Sequence, residues 1–106
     1  MQGYSEQWVQ EQRRYYRDRY LCLLDRLVLA AQKAEEWPRS LRFALLLLRE
    51  DPFREDIHCC IMRAYAEQGN RVAINEQYET LCSLLRTALD VEPSAETTKF
   101  YRHLST

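Results

Sequence analysis

Residues that break helices are scarce in this chain, and they fall in the gaps of an otherwise continuous helical pattern. Two glycines and three prolines serve 106 residues, too few for the many turns of a β-sandwich or barrel. Pro38, Pro52 and Pro93 sit in "EEWPRS", "REDPFRE" and "DVEPS", and Gly69 closes "AYAEQGN". Between these points apolar residues recur at steps of three and four, the period of an amphipathic helix. The spacing predicts an all-α fold of about five helices.

The first helix is expected to run from a cap at Ser5 to about Glu35, with Tyr4 stapled onto Val9. Its core stripe is Tyr16, Tyr20, Leu23, Leu24, Leu27, Val28, Ala31 and Ala34. Pro38 disfavours helical geometry at Trp37 yet suits a new first turn, so a second helix follows to about Arg49. Its "FALLLL" centre is apolar nearly all round and calls for neighbours on more than one side. Asp51-Pro52 is read the same way, with Asp51 capping a third helix over Arg54 to Gln68 that closes at Gly69. Asn70 caps a fourth helix to Leu89, and Ser94 begins a short fifth carrying Phe100, Tyr101 and Leu104. The expected core of the third and fourth helices is Ile57, Ile61, Met62, Tyr65, Ile74, Tyr78, Leu81, Cys82 and Leu85.

A shift of thirty-four residues lays Leu24, Leu27, Val28 and Ala31 over His58, Ile61, Met62 and Tyr65, and Ala44, Leu47 and Leu48 over Tyr78, Leu81 and Cys82. That is the period of the tetratricopeptide repeat, a helical hairpin that buries its face by stacking on the next. The expected architecture is one domain over 1–106, of stacked antiparallel hairpins in a right-handed superhelix. Residues 1–50 hold the first pair, 51–89 the second and 94–104 a final helix.

Composition bears on function mainly by exclusion. Fifteen Lys and Arg against sixteen Asp and Glu give no strong positive field for nucleic acid or acidic lipid. The opening "MQGYSEQW" has no basic-then-apolar leader and "FALLLL" is far short of a membrane span, so a cytoplasmic protein is expected. Cys22, Cys59, Cys60 and Cys82 form no C-x-x-C pair and are read as free thiols acting as small hydrophobes. His58, Cys59 and Cys60 invite a metal reading, but consecutive helical residues diverge by about 100° and cannot converge on one ion. Neither a Gly-rich phosphate loop nor a zinc-protease signature is present, so no catalytic residue, metal or cofactor is assigned.

The stretch from residue 51 onward carries a sharper signal. Asp51, Pro52, Glu55, His58, Ile61, Met62, Gly69, Tyr78 and Glu79 are followed by Val91, Pro93, Glu96, Thr97 and Tyr101. This order resembles the bacterial transcriptional activator domain, the tetratricopeptide-like module of antibiotic-regulatory-protein-class regulators. Ile74 and Asn75 depart from the Ala-Leu usual in that family, and Asp90 replaces a glycine; Asp tolerates left-handed geometry better than most residues. Regulators of this class place a winged-helix DNA-binding domain ahead of the module, and these residues leave no room for one. The resemblance therefore implies a non-catalytic regulatory half that docks a protein, either another domain of the same regulator or a second copy, with no direct DNA or membrane binding. A free-standing adaptor of the same fold is the alternative.

Two surfaces stand out as candidate contact sites. In stacked hairpins the first helix of each pair lines a concave groove, which points to Asp25 and Lys33 on the first helix and Asp56, Cys59, Arg63 and Glu67 on the third. The second is "RRYYRDRY", where Arg13 interleaves with Tyr15, Tyr16 and Tyr20 in a segment expected to project beyond the stacked pairs, a candidate for self-association. Arg and Tyr in alternation also suit phosphate contact and base stacking, but Glu11 and Asp18 dilute the field.

Overall fold

The computed structural model describes the backbone of residues 2–106 and the side chains from Glu6 onward. Five helices follow in order: α1 (Gln2–Lys33), α2 (Trp37–Glu50), α3 (Glu55–Glu67), α4 (Arg71–Leu89) and α5 (Ala95–Ser105). They account for 84% of the chain, with no strand among the described residues. Packing follows chain order, α1 on α2, α2 on α3 and α3 on α4, and α5 closes against both α3 and α4. This is the all-α arrangement of tetratricopeptide-like stacked hairpins.

The core runs through three helices. Leu24 and Val28 of α1 meet Ala44 and Leu47 of α2, which in turn meet Ile57 and Ile61 of α3. Burial of this set is nearly complete, at 3% exposure or less. The expectation that α2 needs neighbours on two sides holds, although Leu45 stays 43% exposed. Ser40, Ala44 and Leu47, at helical steps, form its buried line, and the two small residues let helices approach closely. Further out, Met62 and Ala64 of α3 and Ile74, Leu81 and Leu85 of α4 are buried, while Tyr65, Tyr78 and Cys82 are half-buried.

Helix ends follow local chemistry at two of the four predicted breaks, around Gly69 and between Asp90 and Ser94. Asn70 Oδ1 accepts from the Ala73 N–H at 3.1 Å, and Ser94 Oγ from the Thr97 N–H at 3.2 Å, the two predicted caps. Gly69 takes φ +72°, and the Asn70 N–H reaches back to the Tyr65 carbonyl at 2.9 Å, closing α3 with a Schellman turn. Asp90 takes φ 54° at the end of α4, as its tolerance of that region allows. Glu35 does the same after α1 at φ 56°, with Glu36 N–H on the Ala31 carbonyl at 2.9 Å.

Three expectations are corrected. α1 does not begin at Ser5, whose backbone is already helical; the Tyr4 staple lies outside the described residues. Asp51 does not cap α3. It ends α2 with its N–H on the Leu47 carbonyl, Pro52 and Phe53 form a turn, and Arg54 holds the cap position without a side-chain cap. Glu55 and Asp56 in the first turn supply the negative charge that the helix end favours. Thirdly, the α1 stripe is buried only from Leu24 on: Tyr16, Tyr20, Leu23 and Ala34 are exposed. The reason is length. α2 spans about 21 Å against about 48 Å for α1, and its last residue lies opposite Arg17, whose guanidinium donates to the Glu50 carbonyl at 3.0 Å.

The positive-φ sites and one orphaned hydroxyl give direct tests. A Cβ at Gly69 would meet nothing within 4 Å, so Gly69→Ala should cost about 1 kcal/mol from backbone strain alone. Glu35→Gly should recover a similar amount by relieving the same strain. The Ser40 hydroxyl is buried without a hydrogen-bond partner, so Ser40→Ala should be neutral or stabilise by up to about 1 kcal/mol. Urea unfolding midpoints of the three variants check all three signs.

Candidate interaction surfaces

Five of the six predicted groove residues sit close to polar partners that limit what they offer a ligand. Arg54 Nη1 donates to Asp25 at 2.9 Å and its Nη2 to Asp56 at 2.7 Å, so one guanidinium joins the start of α3 to α1. Its hydrogen bonds to Asp25 and Asp56 hold Arg54 more firmly protonated than usual. Burial alone would raise the Asp56 carboxyl, but the Arg54 hydrogen bond and charge outweigh it and leave it below its ordinary range. Arg63 pairs with Glu67 at 3.3 Å and lies 5.5 Å over the Trp37 ring. Cys59 departs from the groove and points to α5, with Sγ 3.9 Å from Thr97 Oγ1. Lys33 is exposed at the end of α1.

Cys59 and Asp56 instead line an open hollow of about 420 Å³ between α3 and α5, together with Glu55, Ser94, Thr97 and Phe100. Polar contacts dominate the docking of α5. Glu55 Oε1 accepts the Ser94 N–H at 2.8 Å, and Tyr78 Oη lies 2.9 Å from Thr98 Oγ1. Tyr101 donates to Asn75 Oδ1 at 2.8 Å, and its ring stacks on Tyr78 at 4.0 Å and 3°. Burial pushes the Cys59 and Cys60 thiols upward, which keeps them protonated and poor nucleophiles at neutral pH.

Arg13, Tyr15, Tyr16 and Tyr20 are all exposed on α1. Tyr15 and Tyr16 meet edge to face at 5.5 Å, and Arg19 lies 5.4 Å over the Tyr15 ring while donating to its hydroxyl at 3.2 Å. Of these arginines, Arg17 is turned back onto Glu50. Tyr16 and Tyr20, expected in the core stripe, are not covered by another helix among the described residues. Trp8, Cys22 and Leu29 are likewise exposed on α1 and were not singled out from sequence. Their seven-residue spacing with Tyr15 was the available signal, masked by the denser three-and-four stripe next to it.

His58 is 1% exposed and uses both ring nitrogens. Nε2 lies 2.9 Å from the Pro52 carbonyl and Nδ1 2.8 Å from Gln77 Nε2. A neutral imidazole with its proton on Nε2 satisfies both, donating to Pro52 and accepting from Gln77. The ring thus ties the α2–α3 turn to α4. Among the described residues, no group of three His, Cys, Asp or Glu side chains could hold a metal ion.

The family model of the bacterial transcriptional activator domain matches residues 1–105. The chain belongs to that family and is a domain of a transcription regulator. No curated protein and no solved structure matches it. The motif residues that carried the resemblance now have physical roles. Asp51 stops α2, Pro52 accepts from His58, Glu55 accepts from the start of α5, Gly69 ends α3, and Tyr78 stacks on Tyr101.

Burial lowers the His58 pKa below the ordinary histidine value of about 6.5, against the opposing pull of the Pro52 carbonyl, Glu55 and Asp56. The unfolded chain therefore takes up a proton at a higher pH than the folded one. Stability is complete above about pH 6.5 and falls as pH drops below it, since the unfolded state binds more protons there. His58→Gln should flatten that slope between pH 6.5 and 5, and His58→Ala should cost about 3 kcal/mol by leaving a cavity and two unpaired groups. Unfolding curves at several pH values measure both. The Asp56 contribution belongs to a separate window, lost only as pH falls below the ordinary carboxylate range.

Proposed function

We propose that the chain is a non-catalytic docking module of a bacterial transcription regulator, and that the outward face of α1 is where another protein binds. One observation carries the reading. Among the described residues, Trp8, Val9, Tyr15, Tyr16, Tyr20, Leu23 and Leu29 are large hydrophobic side chains 39–64% exposed, all on one helix. Trp, Tyr and Arg dominate binding hot spots, and an apolar surface of this extent on a soluble domain marks an interaction site. The groove on α3 is the weaker candidate, because Arg54 neutralises Asp25 and Asp56 while Arg63 is held by Glu67 and Trp37.

Catalysis has no support in the geometry. The buried imidazole is committed at both nitrogens, and the half-buried thiols Cys59 and Cys60 are held protonated. Direct DNA reading is not part of the proposal either. Asp18, Glu11 and the Arg17–Glu50 pair weaken the field around the tyrosines. The 106 residues are taken as one domain acting beside the regulator's DNA-binding domain. Free cysteines suit the reducing cytoplasm where such a regulator works.

Because Tyr15, Tyr16 and Trp8 are exposed, replacing them with alanine should change stability by less than about 0.5 kcal/mol. In the intact regulator, the triple variant should lose most transcription from a reporter promoter while retaining promoter binding. Full reporter output, with the protein folded, would overturn the docking role. Binding of the isolated chain to arbitrary duplex DNA at low salt, weakening steeply as salt rises, would replace it with a nucleic-acid role.

A further inference from the structure

We infer that α5 is a hinged lid: it lifts from α3 and α4 about Asp90 while α1 to α4 stay folded, and in lifting uncovers the thiol of Cys59. The central core does not need it. The buried cluster that joins α1, α2 and α3, together with the half-buried side chains packed against it, contains no residue of α5. α5 itself buries only Thr97 completely, and its large side chains Phe100, Tyr101 and Leu104 stay half-buried. A helix docked with so little apolar burial opens at a lower free energy than the core beside it.

The contacts that hold the lid are reversible ones. Glu55 accepts the Ser94 N–H, Tyr78 meets Thr98 and Tyr101 donates to Asn75, and each of these groups turns to water when the helix lifts, so each costs little to release. The hinge is exposed and strained. Asp90, Val91 and Glu92 are all exposed, and Asp90 is held at φ 54° by its N–H on the Arg86 carbonyl at 3.1 Å and the Val91 N–H on the Leu85 carbonyl at 3.3 Å. A residue with a Cβ takes that conformation at a cost, which is relieved when the turn opens. Pro93 bars α4 from running on into α5 and confines the motion to these three residues. Beneath the lid, Cys59 Sγ lies 3.9 Å from Thr97 Oγ1 in the hollow that Phe100 also lines.

Native-state hydrogen exchange on the full chain, with alkylation by iodoacetamide located by mass spectrometry, tests the lid. In the wild type the α5 amides should exchange at least about tenfold faster than the slowest amides of α3. Ile61→Val weakens the core away from α5; it should speed those α3 amides about fivefold and leave α5 exchange and Cys59 alkylation unchanged. Tyr101→Phe removes the bond to Asn75 and should speed α5 exchange and Cys59 alkylation together by about fivefold. Cys22, exposed on α1, should alkylate at the same rate in every variant. Asp90→Gly removes the cost of the left-handed turn and should slow both α5 readouts by about threefold. Exchange of α5 in step with α3, with both answering to Ile61→Val, overturns the inference, because the helix then leaves only when the whole chain unfolds. Cys59 alkylation that ignores Tyr101→Phe, or α5 exchange that ignores Asp90→Gly, overturns it as well, since the thiol is then not covered by the lid or the hinge is not at Asp90.

Discussion

Ala44 and Leu47 of α2, fully buried between Leu24 and Val28 of α1 and Ile57 and Ile61 of α3, are the contact on which the rest of the molecule depends. A helix held on two sides cannot shift toward one neighbour without opening a gap at the other, because close-packed interiors resist even a methylene of displacement. Ser40 and Ala44 keep that approach close, and Ser40 leaves a buried hydroxyl unpaired in doing so. With α2 fixed, the position of α1 follows. The mismatch between a 14-residue and a 32-residue helix then leaves the described residues of α1 ahead of Arg17 beyond the end of α2.

The other end of the molecule is closed by different means. α5 buries only Thr97 completely, and its hold on α3 and α4 comes from paired polar groups: Ser94 on Glu55, Thr98 on Tyr78, Tyr101 on Asn75, with a stacked pair of rings between. Such contacts are individually modest but directional, so they set the angle of α5 rather than merely attaching it. His58 serves the same purpose deeper in, where it links a turn carbonyl to the α4 side chain Gln77. In the run that most resembled a metal or catalytic cluster, His58 is thus engaged at both ring nitrogens. The exposed large hydrophobic side chains of α1, from Trp8 to Leu29, lie away from it.

Much of the fold was legible in the sequence because its signals are local. The helix ends at Gly69, Asn70, Ser94 and Asp90 each depend on what one residue does to its own backbone or to an N–H three positions on. Misreadings occurred where that locality fails. Glu35 adopts a left-handed conformation that its side chain disfavours, so nothing in its identity announces it. Asp51 looks like a helix start and serves as a helix stop, because the turn through Pro52 and Phe53 is held from outside by His58 and Arg54 is engaged with Asp25 and Asp56. The predicted groove residues are tied up for a similar reason: Asp25 and Arg63 have partners on other elements, Asp56 is paired with Arg54 at the start of its own helix, and Cys59 faces a helix whose position no periodicity reports.

What the sequence determined by itself is the number of helices, most of their ends, the hairpin period and the residues of the central core, all encoded in spacing and in single-residue backbone preference. Tertiary structure alone decided which apolar residues stay outside. Tyr16, Tyr20 and Leu23 belong to the same helical stripe as Leu24, Leu27 and Val28, and periodicity cannot tell them apart. Their exposure depends on where α2 ends and which flank of α1 it covers, and that is a matter of length and packing in space rather than of any residue's own character.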